Sequence, residues 1–549
     1  MEDTLIARLE DRARQSDPTV VRLPGEDRDT DLRELLDRAR FLAGDLHEAG
    51  VRPGDVVGIV LQNGTGFLTT LFGLMYAGAV PAPLALPNSL GGMDAYRRHL
   101  AAVARDCDMR FLVTDTELRR LRDRLAATLA DGPTLLDLGT LPHVESRLCL
   151  PLAPDRPGFV QYTSGSTSAP KGVLLSQRAL AAGVEAIVGA ARITRADTIG
   201  LWLPLFHDMG LVSVLVGLLA AGKLALWRPG DFIRRPDQWL TAFAEERCTV
   251  CTAPNFFYDH LIGIADRFDT RPLDLSAWRV ACNGAEPVQP HTVEEFARRF
   301  AAHGFVAGAV CPVYGMAEAT LAVTFSETGK GARTIWRDRA HLRTTGRAVP
   351  AEPGSAAARP LVGVGRPVPG MRVRIASPGV SGGEAPAGHV GEIQITGPAV
   401  TSGYHRRPRA EAFTTDGWLR TGDLGFLDDG ELFVTGREKS MVVIRGENYH
   451  AEDAEALARD LPGVYRHRCV AIPWTDPDGG ETLAVVTETA LTGAEERADL
   501  VQRIAAALTA GLGLSGIRVR LVDPHRLPQT SSGKIRRNRA RDVLDTTTD

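Results

Sequence analysis

The string Tyr162-Thr163-Ser164-Gly165-Ser166-Thr167-Ser168-Ala169-Pro170-Lys171-Gly172 gathers groups that could hold a polyphosphate. Its glycines expose backbone N–H groups, its hydroxyls add O–H donors, and Lys171 adds a point charge. The Gly-x4-Gly-Lys-Ser/Thr spacing of a Walker loop is not met. A hydroxyl-rich glycine loop is also an ordinary solvated turn, and residue types alone leave both readings open.

Cys248 and Cys251 form a second candidate, a C-x-x-C pair. A zinc site would need two more ligands at matching spacing, and none follows nearby. The segment CTVCTAPNFF reads instead as a buried strand in which Cys serves as a small apolar residue. The seven cysteines are odd in number and thinly spread, which fits a reducing compartment better than a disulfide framework.

The elements that must position such groups alternate. VVGIVLQNG precedes GFLTTLFGLMYAG, MRFLVTD precedes the helical pattern TELRRLRDRLAATLA, TIGLWLPL precedes LVSVLVGLLAAG, and CTVCTAP precedes NFFYDHLIGIADRF. Alternation of this kind predicts an α/β fold with parallel sheets covered by helices. After about residue 360, short strands punctuated by Gly (MRVRIAS, GEIQITG, GELFVTG) predict a small β-rich subdomain. From about residue 438, AEDAEALARDL and ADLVQRIAAALTAGL mix helices with strands and predict a C-terminal α+β lid. The expected domains are therefore 1–437, with 360–437 as the β-rich part, and 438–549. The stretch TFSETGKGARTIWRDRAHLRTTGRAVPAEPGSAAARPL shows little periodicity and reads as a long irregular connection.

At 549 residues the chain can bury full cores without disulfides or a structural metal. Lys and Arg number 63 against 67 Asp and Glu, and a net charge of −4 argues against a general nucleic-acid binder. The start, MEDTLIARLEDRARQ, lacks the basic and apolar regions of an export signal, so a cytoplasmic protein is expected. No charged residue occurs from Gly58 to Met93, but Pro81, Pro83, Pro87 and repeated Gly break that stretch. A buried strand and helix are expected there rather than a membrane span.

Seven further strings follow the first in order: Leu203-Pro204-Leu205-Phe206-His207-Asp208-Met209-Gly210-Leu211, Ala253-Pro254-Asn255-Phe256, Asn283-Gly284-Ala285-Glu286-Pro287, Tyr314-Gly315-Met316-Ala317-Glu318-Ala319-Thr320-Leu321, Gly417-Trp418-Leu419-Arg420-Thr421-Gly422-Asp423-Leu424-Gly425, Thr435-Gly436-Arg437-Glu438-Lys439 and Leu527-Pro528-Gln529-Thr530-Ser531-Ser532-Gly533-Lys534-Ile535. With the first, they make the chain resemble the adenylate-forming superfamily of acyl-CoA synthetases, luciferases, peptide-synthetase adenylation domains and fatty acyl-AMP ligases. The resemblance runs along nearly the whole chain. It implies that a substrate carboxylate attacks the α-phosphorus of ATP, giving an acyl-AMP and pyrophosphate with no covalent enzyme intermediate.

The resemblance also implies roles. ATP contacts fall to Thr163, Ser164, Gly165, Ser166, Thr167, Lys171, Asn283, Gly284, Ala285, Glu286, Tyr314, Gly315, Met316, Ala317, Asp423 and Arg437. Tyr314 offers a flat ring for the adenine and small Ala285 admits its other face. Asp423 can accept from both ribose hydroxyls while Arg437 helps hold the sugar. Glu318, Lys534 and His207 are the implied catalytic residues: Glu318 supplies a hard oxygen to Mg²⁺, and Lys534 binds the carboxylate and α-phosphate. The lid would turn near Lys439-Ser440, where the family usually has an acidic residue in place of Ser440.

Within the superfamily, LPLFHDMGL and YGMAEATL look like the fatty acyl-AMP ligases, as does Ala317 at a position that most relatives fill with Thr. From Tyr314 to Gly365 the chain runs 51 positions, longer than in CoA ligases. Fatty acyl-AMP ligases carry an insertion there that restrains the lid and disfavours CoA, so the implied acceptor is the phosphopantetheine arm of an acyl carrier protein. Acyl-CoA synthetase, or an adenylating enzyme for an amino or aryl acid, is the alternative. Phe206, Met209, Phe256, Phe257 and Met316 could wall an acyl tunnel or be plain core. High Arg, Ala and Asp usage fits a GC-rich bacterial genome and a secondary-metabolite setting.

Overall fold

A computed structural model describes residues 3–24, 28–86, 93–115, 132–163, 170–270, 273–355, 357–377, 383–444, 447–475, 481–514, 516–529 and 535–545. The helical pattern expected over TELRRLRDRLAATLA lies outside the described residues. The chain divides into two compact units: Met1–Ala332 with Gly365–Arg372 and Thr396–Thr415, and Arg333–Val364 with Val373–Ile395 and Asp416–Asp549. This is a division by packing. The expected boundary at 437/438 is a division by motion and belongs to the proposal below.

The first unit is built on a nine-stranded sheet in the order Arg366–Pro367, Ala322–Phe325, Val310–Gly315, Val280–Asn283, Val250–Ala253, Thr198–Leu201, Lys223–Leu226, Val20–Arg22, Thr30–Asp31. The six strands from Val310–Gly315 to Val20–Arg22 pair in parallel, and antiparallel strands close both sides. Strands covered on both faces can be continuously apolar. VACN at 280–283 is buried at every position, with Asn283 the exception in chemistry rather than in burial. The uncharged stretch after Gly58 forms a buried strand Val56–Ile59 and helix Thr65–Tyr76, part of a second, parallel sheet. No helix among the described residues is long and apolar enough to cross a membrane.

Helix Pro290–Phe300 shows how covering elements are specified. Pro at its first position fits the helix start, and Val293, Phe296 and Phe300 recur on one face, all buried. That face packs with Trp202, Phe232, Trp239, Phe257 and Trp278 into one aromatic core. Phe257 lies 5.7 Å from Trp202 and 4.8 Å from Phe232, centroid to centroid, and is fully buried. It packs as core, whereas Phe256 is only partly buried at the edge of that cluster. Cys248 and Cys251 are buried too, Cys251 within strand Val250–Ala253 as a small apolar residue.

In the second unit, the strands expected after residue 360 form a four-stranded sheet of Arg372–Ala376, Gly391–Thr396, Leu419–Asp428 and Glu431–Arg437. Its Phe426 and Phe433 stack 5.4 Å apart over Ile335 and Leu361. The stretch expected to be an irregular connection is instead regular structure. Thr334–Asp338 and Ala358–Val362 pair antiparallel over five residues each, joined through helix Arg339–Thr344. Its small and charged residues hid the pairing, which is stabilised by packing against Phe426 and Phe433 rather than by its own hydrophobic pattern. Helices Ala451–Ala458 and Ala494–Leu512 pack on strands Cys469–Thr475, Glu481–Glu488 and Arg518–Val522 around a further core.

Candidate active site

Four parallel strands of the large sheet, Thr198–Leu201, Val250–Ala253, Val280–Asn283 and Val310–Gly315, end at the same side. The candidate strings 203–211, 253–256, 283–287 and 314–321 begin at or just beyond those carboxyl ends. In open α/β sheets that is where ligands bind, because side chains there leave the sheet and backbone groups lose their pairing partners.

Gly284 and Gly315 set the spacing between two of these ends. A Cβ on Gly284 would stand 2.7 Å from the Val313 carbonyl oxygen, and one on Gly315 only 1.8 Å from that of Leu321. Glycine at 315 therefore admits the turn in which Met316 N donates to Leu321 O at 2.8 Å. Ala285 next to Gly284 has φ 64°, a left-handed conformation that a small side chain tolerates best. Tyr314 is half-buried on the neighbouring strand, whose Pro312 is in register with Asn283.

At the ends of these strands lies a buried polar network that the sequence did not reveal. The Asn283 amide donates to Asn255 Oδ1 at 3.1 Å, which also accepts from Gln289 N. Asn255 in turn donates to Asp259 at 3.0 Å and to Thr292 Oγ1 at 3.1 Å. Glu286 Oε1 accepts from Phe256 N at 2.5 Å, so the Glu286 carboxylate holds the neighbouring turn. Asn255 stood in a recognised string, but nothing in the string pointed to its partners.

Glu318 sits in the short 3-10 turn Ala317–Ala319, between Met316 and Thr320. Ala317 is buried, and Thr320 (φ 65°) is pinned by its hydroxyl, 2.9 Å from Ala399 O. The Glu318 carboxylate accepts a hydrogen bond from the Tyr404 hydroxyl at 2.7 Å. Burial, and next the adjacent Glu318 charge, push the Tyr404 phenol well above its ordinary range, so it stays a neutral donor.

His207 caps helix Asp208–Ala220, its Nδ1 2.9 Å from Asp208 Oδ1, which also accepts from Met209 N at 2.7 Å. Thr163 ends strand Pro157–Thr163 as the antiparallel partner of Lys171, so the two ends of the phosphate string are held together. Ser164, Gly165, Ser166 and Thr167 lie outside the described residues, as does Lys534.

Asp423 and Arg437 belong to the second unit, paired across the strands Leu419–Asp428 and Glu431–Arg437. Ser440 is buried at the end of the turn Glu438–Ser440. In the same unit Arg343 donates to Leu512 O at 3.0 Å and lies over the Tyr449 ring, while Arg359 pairs with Asp453 at 2.8 Å. Hairpin and C-terminal segment are thus joined by charge-bearing contacts.

Candidate strings gathered at the carboxyl ends of a parallel sheet are the arrangement of an adenylate-forming ligase fold. The chain belongs to the AMP-binding enzyme family, whose model matches residues 9–405. It is an enzyme that adenylates an acyl acid. A medium-chain fatty-acid–acyl-carrier-protein ligase, JamA of Moorena producens, is 33% identical over 93% of this chain and 88% of that protein. A Caulobacter vibrioides protein with a provisional acyl-CoA synthetase name is 34% identical over 92% of this chain and 89% of its own. Among solved structures, one from work on fatty acyl-adenylate ligases of E. coli and L. pneumophila aligns with a TM-score of 0.90. It is 31% identical, covering 98% of this chain and 97% of that one.

Proposed function

We propose that this enzyme activates a fatty or related carboxylic acid with ATP and passes the acyl group to the phosphopantetheine thiol of an acyl carrier protein. A carboxylate oxygen forms the new bond to the α-phosphorus as the bond to pyrophosphate breaks, and the electron pair leaves with pyrophosphate. The thiol sulfur then bonds to the acyl carbon, AMP leaves, and the thiol proton passes to solvent. Thr163, Ser164, Gly165, Ser166, Thr167 and Lys171 would hold the phosphates, and Asn283, Gly284, Ala285, Tyr314, Gly315, Met316 and Ala317 the adenine side. Asp423 and Arg437 would hold the ribose, Lys534 the reacting oxygens, and His207 the acyl end of the site.

The donor set suits Mg²⁺: one fixed carboxylate, Glu318, fits a hard cation that takes most of its ligands from substrate phosphates and water. Bound there, the ion would neutralise charge on the departing pyrophosphate. Residues 438–549 would act as a lid turning near Lys439 and Ser440, in a cytoplasmic enzyme.

The choice of acceptor rests on one observation. The hairpin Thr334–Asp338/Ala358–Val362 is tied to the C-terminal segment through Arg343 and Arg359. A tie of this kind supports restrained lid travel, which works against CoA. The Caulobacter relative favours the second reading, an acyl-CoA synthetase. The test is intact-mass detection of product with ATP, Mg²⁺ and a ladder of fatty acids, offered a phosphopantetheinylated carrier protein or free CoA. Acyl-carrier product without acyl-CoA supports the proposal; abundant acyl-CoA selects the second reading.

A further inference from the structure

We propose that Tyr404 is a positioning residue for adenylation: its hydroxyl fixes the Glu318 carboxylate in the orientation that meets the metal–pyrophosphate end of ATP. The proposal rests on the reading of Glu318 as a metal ligand.

One short stretch of chain holds Glu318 at both its backbone and its side chain. Thr401 N donates to Glu318 O at 2.7 Å, and three residues on the Tyr404 hydroxyl reaches Glu318 Oε1, also at 2.7 Å. The two residues are 86 positions apart in sequence, so only the fold brings them together. The same stretch is the third strand of the phosphate-loop hairpin. Gly403 and Tyr404 pair antiparallel with Leu174 and Val173, and His405 N donates to Gly172 O at 2.8 Å. The Thr401 hydroxyl adds a bond to Leu174 O at 2.6 Å. Finally, the Lys171 ammonium stands 5.2 Å from the centre of the Tyr404 ring.

Tyr404 thus touches the carboxylate with its hydroxyl and the loop lysine with its ring. A hydrogen bond from a neutral, partly buried phenol to an ionised carboxylate is charge-assisted and restrains the carboxylate's rotation. A ligand oxygen held in this way needs no reordering when the metal arrives, and loss of such support typically costs about tenfold in metal affinity or activity. The ring contact adds a fixed position for Lys171 relative to Glu318. Both charges aimed at the triphosphate are then referenced to one side chain.

The test uses the full-length enzyme and titrates ATP calorimetrically without any acid, so that no turnover occurs, once in Mg²⁺ and once in EDTA. Glu318→Gln must abolish the gain in ATP affinity that Mg²⁺ confers; if that gain survives, the reading of Glu318 as metal ligand fails and this proposal with it. Tyr404→Phe keeps the ring and should cut the gain about tenfold while leaving affinity in EDTA unchanged and lowering the melting temperature only slightly. The Mg²⁺ concentration for half-maximal acyl-AMP formation should rise by a similar factor, with KM for the acid unmoved. Tyr404→Leu also removes the face beneath Lys171, so its affinity in EDTA should fall as well. A Tyr404→Phe enzyme with the full gain, beside a Glu318→Gln enzyme without it, would overturn the proposal. So would a pair of variants that lower only the melting temperature, the mark of a packing role.

Discussion

Asp423 and Arg437 are register partners on neighbouring antiparallel strands, with the guanidinium Nε 2.9 Å from the carboxylate. Their environments are unequal: the Asp423 side chain is 6% exposed and that of Arg437 65%. The strand pair gives the carboxylate a fixed place, whereas the arginine reaches into solvent.

Asp423→Asn keeps the shape and removes the charge that would accept from the ribose hydroxyls. KM for ATP should rise about tenfold or more, as expected for loss of a hydrogen bond to a charged group. The Asp423 end of the pair is buried and the Arg437 end solvated, so losing the charge should cost about 1 kcal/mol and lower the melting temperature slightly. The ATP dependence of acid-driven pyrophosphate exchange measures the first effect and a thermal melt the second.

Lys534→Ala separates the two half-reactions. Acyl-AMP formation should fall about 100- to 1,000-fold, the scale for losing one group that stabilises developing charge. Transfer from chemically prepared acyl-AMP to the carrier protein should continue, because the α-phosphorus is no longer attacked. Pyrophosphate exchange and intact-mass acyl transfer read the two steps independently.

Arg343→Met tests the hairpin's tie to the C-terminal segment. The variant loses the donor to Leu512 O and the cation over Tyr449 but keeps apolar bulk. Stability by urea titration should drop by about 1 kcal/mol, the net worth of one hydrogen bond. Acyl-CoA should rise above its wild-type level while acyl-carrier product persists.

Phe257→Ala should cost about 3–5 kcal/mol of stability, since the ring is fully buried among Trp202, Phe232 and Trp239. If Phe257 is core, the preferred acyl length on a fatty-acid ladder should not shift in the fraction that remains folded. A lengthened preference would make it a tunnel wall after all.

Burial of His450 lowers its pKa below the ordinary 6.5, with Asp453 and Glu452 favouring the cation and Arg359 opposing it. Between the lowered folded value and about 6.5, the unfolded chain binds more protons than the folded one. Stability is therefore complete above that window and falls as pH drops through it. Melts from about pH 7.5 to about pH 5 should show this slope in the wild type and a flatter one in His450→Gln.

The alternation of elements was legible in the described residues of the first unit. VVGIVL and GFLTTLFGLMY became strand Val56–Ile59 and helix Thr65–Tyr76, and CTVCTAP became strand Val250–Ala253. Apolar periodicity reports burial directly when an element is covered on both faces. It failed on Thr334–Val362, where the pairing depends on Phe426 and Phe433 far along the chain. It was silent on Tyr404, one tyrosine after a glycine, whose role comes entirely from Glu318 and Lys171 lying beside it.

What the residues by themselves determined was the ordered series of strings from Tyr162 to Ile535, and with it the adenylating chemistry. Each string is a local device: phosphate donors, a flat ring beside small residues, or a lone carboxylate after a tight turn need particular residue types only a few positions apart. Only the tertiary structure decided which side chains hold those devices in place. Asn255 behind Asn283, Tyr404 against Glu318 and Arg343 at Leu512 O join positions 28, 86 and 169 residues apart. A hydrogen bond or a buried ring acts over a few ångströms of space, whatever length of chain lies between its ends, so no local pattern could carry these contacts.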